Sequence, residues 1–355
     1  MHKATFLEGT LRFTIVPDGP ILIKAGESSG VDPVLPDMRF VRSQGQIYIP
    51  GPSLKGVVRA QAERICRSLD NSQLQAQKLQ ARRETFGLTE QLIPLADNPL
   101  AEQPKKDELT DTMISRLIEE TRYSSGRYIE AEPVRESIKD DPKRTAIIYR
   151  RTSFTSQIFG HTSLAGRVRF ADAYSADLKP SHIEERNGVA IDRIYGSVAV
   201  GPFNYEVVVG GTFTSRIDFK NLTLAQLGLL GLALRDLAEG RVGIGFGKSR
   251  GLGRVKITFD EMTLRYPTCS LDNGLALLNG QTICKIDQLA GLGAFGNDSA
   301  YSSYALPAED CAPMPDGIGY VEDTLMGVAL NASDDAQVRA IWRACMPAWR
   351  QEIEL

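Results

Sequence analysis

The sequence has little of what several function classes require. Its 355 residues include three histidines, two tryptophans and five cysteines. The cysteines (Cys66, Cys269, Cys284, Cys311 and Cys345) form no CxxC pair, so none has zinc-ligand spacing. Their odd number in a long chain argues against a disulfide framework. A positive surplus is missing as well. Lys and Arg number 41 against 44 Asp and Glu, which leaves a net charge of -3. The average surface therefore does not attract nucleic acid, and any anion site has to be built locally. The N-terminal residues carry no apolar run of signal-peptide length. The longest apolar stretch, residues 224–240, is broken by Gln226, Arg235 and Asp236 and reads as a buried helix rather than a membrane span. A cytoplasmic protein with no membrane partner is expected. Hydrophobic residues at 42% and charged residues at 24% exclude a wholly disordered or fibrous chain.

What is present is segregated. Three stretches hold basic residues and no acids: 39–59 (Arg39, Arg42, Lys55, Arg59), 150–171 (Arg150, Arg151, Arg167, Arg169) and 241–256 (Arg241, Lys248, Arg250, Arg254, Lys256). They carry thirteen positive charges on an acidic chain, the distribution that a local phosphate-binding surface needs.

Patterning suggests alternating strands and helices. Residues 5–25 read as a hairpin turning at Pro17-Asp18-Gly19-Pro20. Gln46–Ile49 reads as a strand and 53–67 as a helix capped by Ser53. Strand-like runs recur at Ala146–Tyr149 and Gly166–Ala171, and a long hairpin is expected around a bend at 196–203. A strand at 212–219, an amphipathic helix at 223–239 and a strand at 254–259 follow. The sum is an α+β, ferredoxin-like (RRM-like) arrangement with its core in 1–69 and 150–265. Residues 70–149, polar and divided by Pro94, Pro104, Pro133 and Pro142, read as a helical insertion, with 110–122 its best helix. Residues 266–355 read as a C-terminal extension with a helix at 335–349, interrupted near Pro347, where Trp342 and Trp349 share a face.

The chemical centre is the glycine loop RVGIGFGKSRGLGRVKI, 241–257. Gly243, Gly245, Gly247, Gly251 and Gly253 remove side-chain bulk and allow backbone N–H groups to approach a phosphate, with Lys248, Arg250 and Arg254 beside them. Gly247-Lys248-Ser249 ends like a Walker A loop, but the glycine required five residues earlier is Val242. A strand-like run rather than a helix follows, which excludes both that loop and a Rossmann site.

Four segments then occur in one order: YIPGPSLKGVVR (48–59), QIFG (157–160) with RVRFADA (167–173), VAIDRIYG (189–196), and the glycine loop. Together they resemble the RAMP proteins of CRISPR systems, and among these the backbone subunit of type III interference complexes. The resemblance implies a RAMP fold with a thumb hairpin at 189–209. It implies an antiviral ribonucleoprotein with guide RNA, target RNA and other CRISPR effector subunits as partners. Arg39, Arg42, Lys55, Arg59, Arg193, Lys248, Arg250 and Arg254, with Gly245, Gly247, Gly251 and Gly253, are the expected RNA-binding residues, and Arg193 is expected near the base of the thumb. In such subunits target RNA is cut through an aspartate in the loop before the IPG motif, with a divalent metal. Asp37, five residues before Arg42, matches the family's spacing. Asp32 is the alternate. A lone carboxylate cannot hold Mg²⁺ or a similar cation, so RNA phosphates would complete its shell. His161 is a weak candidate for a general base. A non-catalytic structural backbone subunit and a stand-alone guide-processing RAMP endoribonuclease remain as alternatives.

Overall fold

The computed structural model describes residues 4–25, 38–70, 93–101, 116–117, 120, 122–296, 301–323 and 325–353. Alternation of apolar and polar side chains from Glu8 to Pro17 makes the first strand, β1. It buries Leu11, Phe13 and Ile15 and turns Arg12 outward. β2 (Arg42–Ser43) and β3 (Gln46–Ile49) precede helix α1 (Gly51–Leu69). Short helices follow, α2 (Ser125–Glu130), α3 (Glu132–Ile138), α4 (Arg144–Arg150) and α5 (Phe154–Phe159). Then come β4 (Val168–Phe170), β5 (Ala173–Ser175), the long hairpin β6 (Ile183–Ile191) and β7 (Val198–Val208), β8 (Phe213–Lys220), α6 (Leu224–Ala238) and β9 (Val255–Tyr266).

β1 is flanked by β8 (Ile15 opposite Phe213) and by β9 (Ile15 opposite Ile257), and β4 and β5 both pair with β8. All these pairings are antiparallel. Taking β4 and β5 as one interrupted strand, the spatial order is 4-1-3-2, that of a ferredoxin-like split β-α-β unit, as the patterning implied. The β6–β7 arm forms its own two-stranded sheet.

The last ninety residues build onto this core. Small ladders, β10 (Cys269–Leu271), β11 (Gly274–Leu277), β12 (Thr282–Lys285), β13 (Gln288–Ala290) and β14 (Cys311–Pro313), lead to β15 (Tyr320–Glu322) and β16 (Val328–Ala332). β16 pairs with β9, Val328 opposite Tyr266, and so widens the main sheet. Helix α7 (Asp335–Ile353) lies over α6. Gly231 of α6 makes room for it, because a Cβ there would stand 2.5 Å from Trp342 Cγ. The Trp342 ring in turn meets Phe259 edge-on at 4.6 Å.

The described part of 93–150 is tied to the same core through Asp97. Its buried carboxylate accepts from Ser153 Oγ (2.7 Å), Ser156 Oγ (2.6 Å) and the Ser125 N–H (2.8 Å). Tyr149 Oη accepts from Gln226 Nε2 of α6 at 2.9 Å.

Several expectations need correction. Ala146–Tyr149 is helical, not a strand; a four-residue apolar run fits either period, and here Ala146, Ile148 and Tyr149 bury one face of a helix. Residues 5–25 do not close as a hairpin, because β8 and β9 occupy both edges of β1. Ile21 instead exchanges backbone bonds with Val208 of β7, at 2.8 and 2.9 Å. α6 is buried almost all round rather than amphipathic, since the sheet covers one side and α7 the other. α7 runs through Pro347 to Ile353, its last turns held by buried Trp349 against Phe154, centroids 5.4 Å apart. The arm is longer than expected: it begins at Ile183 and turns at 192–197, so Arg193 sits at the tip rather than the base. Most of the helix expected at 110–122 lies outside the described residues, among which no helix is long and apolar enough to cross a membrane.

Candidate nucleic-acid interface

The glycine loop is laced to itself and to residues 20–22. Ile244 N–H donates to Gly253 O (2.8 Å), Phe246 N–H to Leu22 O (2.7 Å) and Gly253 N–H to Pro20 O (2.9 Å). Gly245 and Gly253 permit this lacing, since a Cβ on either would collide with a carbonyl oxygen, of Leu22 and Ile244 respectively. Gly247 (φ 72°) and Gly251 (φ 79°) bracket a single 3₁₀ turn that lifts Lys248, Ser249 and Arg250 into solvent. Four of the glycines therefore shape the loop, and the side chains of the lifted turn face outward.

Two aromatic rings seat one cation of the loop and a lysine beside it. The Arg250 guanidinium lies 5.7 Å from the Phe246 centroid and 5.8 Å from that of Phe203 in β7. Lys24 Nζ lies 5.0 Å from the Phe246 ring. Phe203 is next to Tyr205, with centroids 6.3 Å apart. Residues 20–25, the glycine loop and the base of the arm thus meet in one patch.

The segment that carries Asp32 and Asp37 starts and ends at this patch. Ala25 N–H donates to Arg39 O at 3.0 Å and Val41 N–H to Ile23 O at 2.9 Å, which closes its two ends together. Met38 makes two further bonds with the arm: its N–H donates to Asn204 O (3.2 Å) and its carbonyl accepts from the Glu206 N–H (2.9 Å). Asp32 and Asp37 themselves lie outside the described residues.

The remaining candidates divide. Arg39 is half-buried at the closure of the segment. Arg42 forms a two-pronged pair with Glu206, whose carboxylate also accepts the Phe40 N–H at 3.3 Å. Arg59 is an internal tie, donating to Glu63 (2.8 Å), Gly160 O (2.8 Å) and Ser156 Oγ (2.9 Å). Lys55, one turn earlier, is half-buried beside Gly166, and burial with the nearby Arg59 charge lowers its pKa. Arg254 and Lys256 both face Asp18, each at 2.9 Å, and the hydrogen bond from Lys256 pulls the Asp18 pKa down. Arg193 is exposed in the arm's turn, where Asp192 accepts the N–H groups of Ile194 (2.7 Å) and Tyr195 (2.8 Å). His161 is an internal link as well. Its Nδ1 accepts from the Ser163 N–H (3.1 Å), its Nε2 contacts Thr152 Oγ1 (2.9 Å), and burial lowers its pKa.

The thirteen charges of the basic stretches therefore do not act as one pool. Several are answered by acids distant in sequence, and Arg150 and Arg167 are buried. Lys24, Phe203 and Phe246 were missed in the sequence. The available signal was a phenylalanine inside a glycine loop and a lysine closing an apolar run.

Two of the four motifs are in direct contact. Gly51 N–H, which opens α1, donates to Asp172 Oδ1 at 2.7 Å, and a Cβ on Gly51 would collide with Phe170 O. The IPG segment and the RVRFADA segment are thus locked together. Among the described residues, no three His, Cys, Asp or Glu side chains come together in a way that could hold a metal ion. Glu206, the carboxylate at the root of the 26–37 segment, is already committed to Arg42 and Phe40.

Compared with known proteins, the chain matches the family model of the RAMP superfamily over residues 14–256. No curated protein matches it.

Proposed function

The chain belongs to the RAMP superfamily, and on that premise we propose that it is a backbone subunit of a type III CRISPR effector that holds guide RNA and cuts complementary target RNA. Membership makes it a CRISPR-associated RNA-binding protein. The more specific reading is supported by one juxtaposition. Both ends of the segment bearing Asp32 and Asp37, the base of the arm and the lifted Lys248–Arg250 turn share a single patch. Cations seated on aromatic rings grip phosphate and stack on bases without reading their identity, which suits a subunit that must accept any guide. The exposed tip of the arm, with Ile194 and Tyr195 more than four-fifths accessible, offers a wedge against a paired strand.

In this reading Asp37 is the catalytic residue, with Asp32 the alternate. Mg²⁺ or a similar cation belongs to the same proposal and would be held by Asp37 and RNA phosphates. The described residues add no ligand set for it, so no step is assigned to the metal. The test is a reconstituted complex with guide and labelled complementary RNA, with and without Mg²⁺. Cutting is expected with Mg²⁺, is expected to disappear in Asp37→Ala while mobility-shift binding persists, and is expected to survive in Asp32→Ala. A wild-type complex that binds target and never cuts it would leave a structural backbone subunit. Cutting of the guide precursor alone would instead identify a processing enzyme.

A further inference from the structure

A cavity of about 440 Å³ lies between α4, the turn at 163–167, β4 and the end of β8. Among the described residues that line it, four are cations (Arg144, Arg167, Arg169 and Lys220) and none is an acid. Several other surface arginines come with carboxylates, as in Arg12–Glu261, Arg216–Asp218 and Arg254–Asp18. None of the four cavity cations forms an ion pair among the described residues.

Arg167 is the most constrained of them. The residue is 4% exposed and its guanidinium is stacked 4.4 Å from the Tyr149 centroid. One nitrogen donates to Asn221 O, while Nη2 is buried with no hydrogen-bond partner among the described residues. A buried guanidinium with no counter-ion is costly, and the stacked ring holds this one in place. Lys55 adds a fifth positive group at the rim, its Nζ 3.2 Å from where a Cβ on Gly166 would stand. The cavity falls in the size range of small-ligand sites. It is concave and confined, which fits a compact phosphate and sugar better than an extended acidic peptide, and Ile148 and Leu164 give it an apolar wall.

We propose that this cavity seats one phosphate-bearing nucleotide of the RNA strand held by the protein, a subsite distinct from the patch at the glycine loop. The proposal rests on the RNA-binding reading above. Arg169 is exposed and Lys220 half-buried, so Arg169→Glu with Lys220→Glu reverses the charge of the cavity at little risk to the fold. Arg169→Gln with Lys220→Gln serves if the first variant does not fold.

The full-length protein is crosslinked to RNAs carrying a single 4-thiouridine at successive positions, and the crosslinked peptides are mapped. Affinity and its salt dependence are measured on the same proteins, with Lys248→Ala/Arg250→Ala as comparison. Crosslinks to 163–169 or 220–221 from one or a few RNA positions are expected, and they should persist in the comparison variant. The cavity variant should bind RNA roughly tenfold more weakly, with a log–log salt slope smaller by about one. Wild-type crosslinks confined to the glycine loop and arm, with unchanged affinity in the cavity variant, would overturn the subsite and leave the RNA-binding reading intact. Binding of inorganic phosphate without any RNA crosslink to the cavity would likewise overturn it, as a free-anion site. Wild-type protein that binds no RNA would overturn both.

Discussion

Asp310 is buried at the start of α6, where the Leu224 N–H (3.0 Å) and the Gly293 N–H (2.8 Å) donate to its two oxygens. Burial outweighs those bonds and pushes its pKa up to about 6. A carboxyl whose folded pKa lies above its unfolded value stabilises the fold fully below the unfolded value, near 3.8, and that contribution is lost as pH rises through about 6. Asp310→Asn removes the titration. Measured by denaturant melts, the wild type should lose up to about 3 kcal/mol relative to the variant between pH 4 and pH 7, since each tenfold difference in proton affinity between the folded and unfolded chain is worth roughly 1.4 kcal/mol. Parallel pH profiles would show that Asp310 is already ionised in the folded state. Arg42 and Arg59 illustrate the same local accounting: each is a cation in an acid-free stretch, and each is held by a carboxylate and a protein oxygen, which makes it a brace for the site.

At the scale of elements, α1, α2 and α5 are joined by one buried carboxylate. Asp97 accepts from Ser125, Ser153 and Ser156 and lies 4.0 Å from Arg59 Nη2, so a single side chain connects the 93–101 segment, two short helices and the helix that carries Lys55. Asp97→Ala leaves the three serine donors without this acceptor and takes the second carboxylate from beside Arg59, which keeps Glu63 and Gly160 O. A loss of about 3 kcal/mol is expected, seen as a lower denaturation midpoint with an unchanged slope. A change below about 0.5 kcal/mol would mean that the short helices are not coupled to α1. The pairing of α6 with α7 has no such polar hub among the described residues. It depends on Gly228 and Gly231 admitting Met346 and Trp342, and this shape match explains why 224–238 is apolar on nearly every side.

For the whole molecule, the elements with long, regular patterns were legible in the sequence. β1, β3, α6 and the glycine loop stand where periodicity and glycine spacing put them, and the alternation of strands and helices implied the ferredoxin-like class, whose strand order the structure supplies. Short apolar runs were not legible, because Ala146–Tyr149 satisfies both periods and only the tertiary neighbours decide. The attachment of 328–353 to sheet and helix layer was not legible either, since edge pairing of β16 with β9 leaves no local mark. In the candidate site, linear charge counting misjudged Arg42, Arg254 and Lys256, whose acidic partners Glu206 and Asp18 lie 164 or more residues away. The patch itself draws on residues 24, 203, 246 and 250, a proximity that no spacing rule encodes. That patch is the central claim, and the salt dependence of RNA binding tests it most directly. Wild type and Lys24→Ala/Lys248→Ala/Arg250→Ala are titrated with single-stranded RNAs of unrelated sequence at several salt concentrations. The expected result is a uniform loss of affinity for every RNA and a log–log slope smaller by about two, close to 0.7 for each lost phosphate contact. Unchanged affinity and slope in a variant that melts like the wild type would contradict the assignment of the RNA grip to this patch.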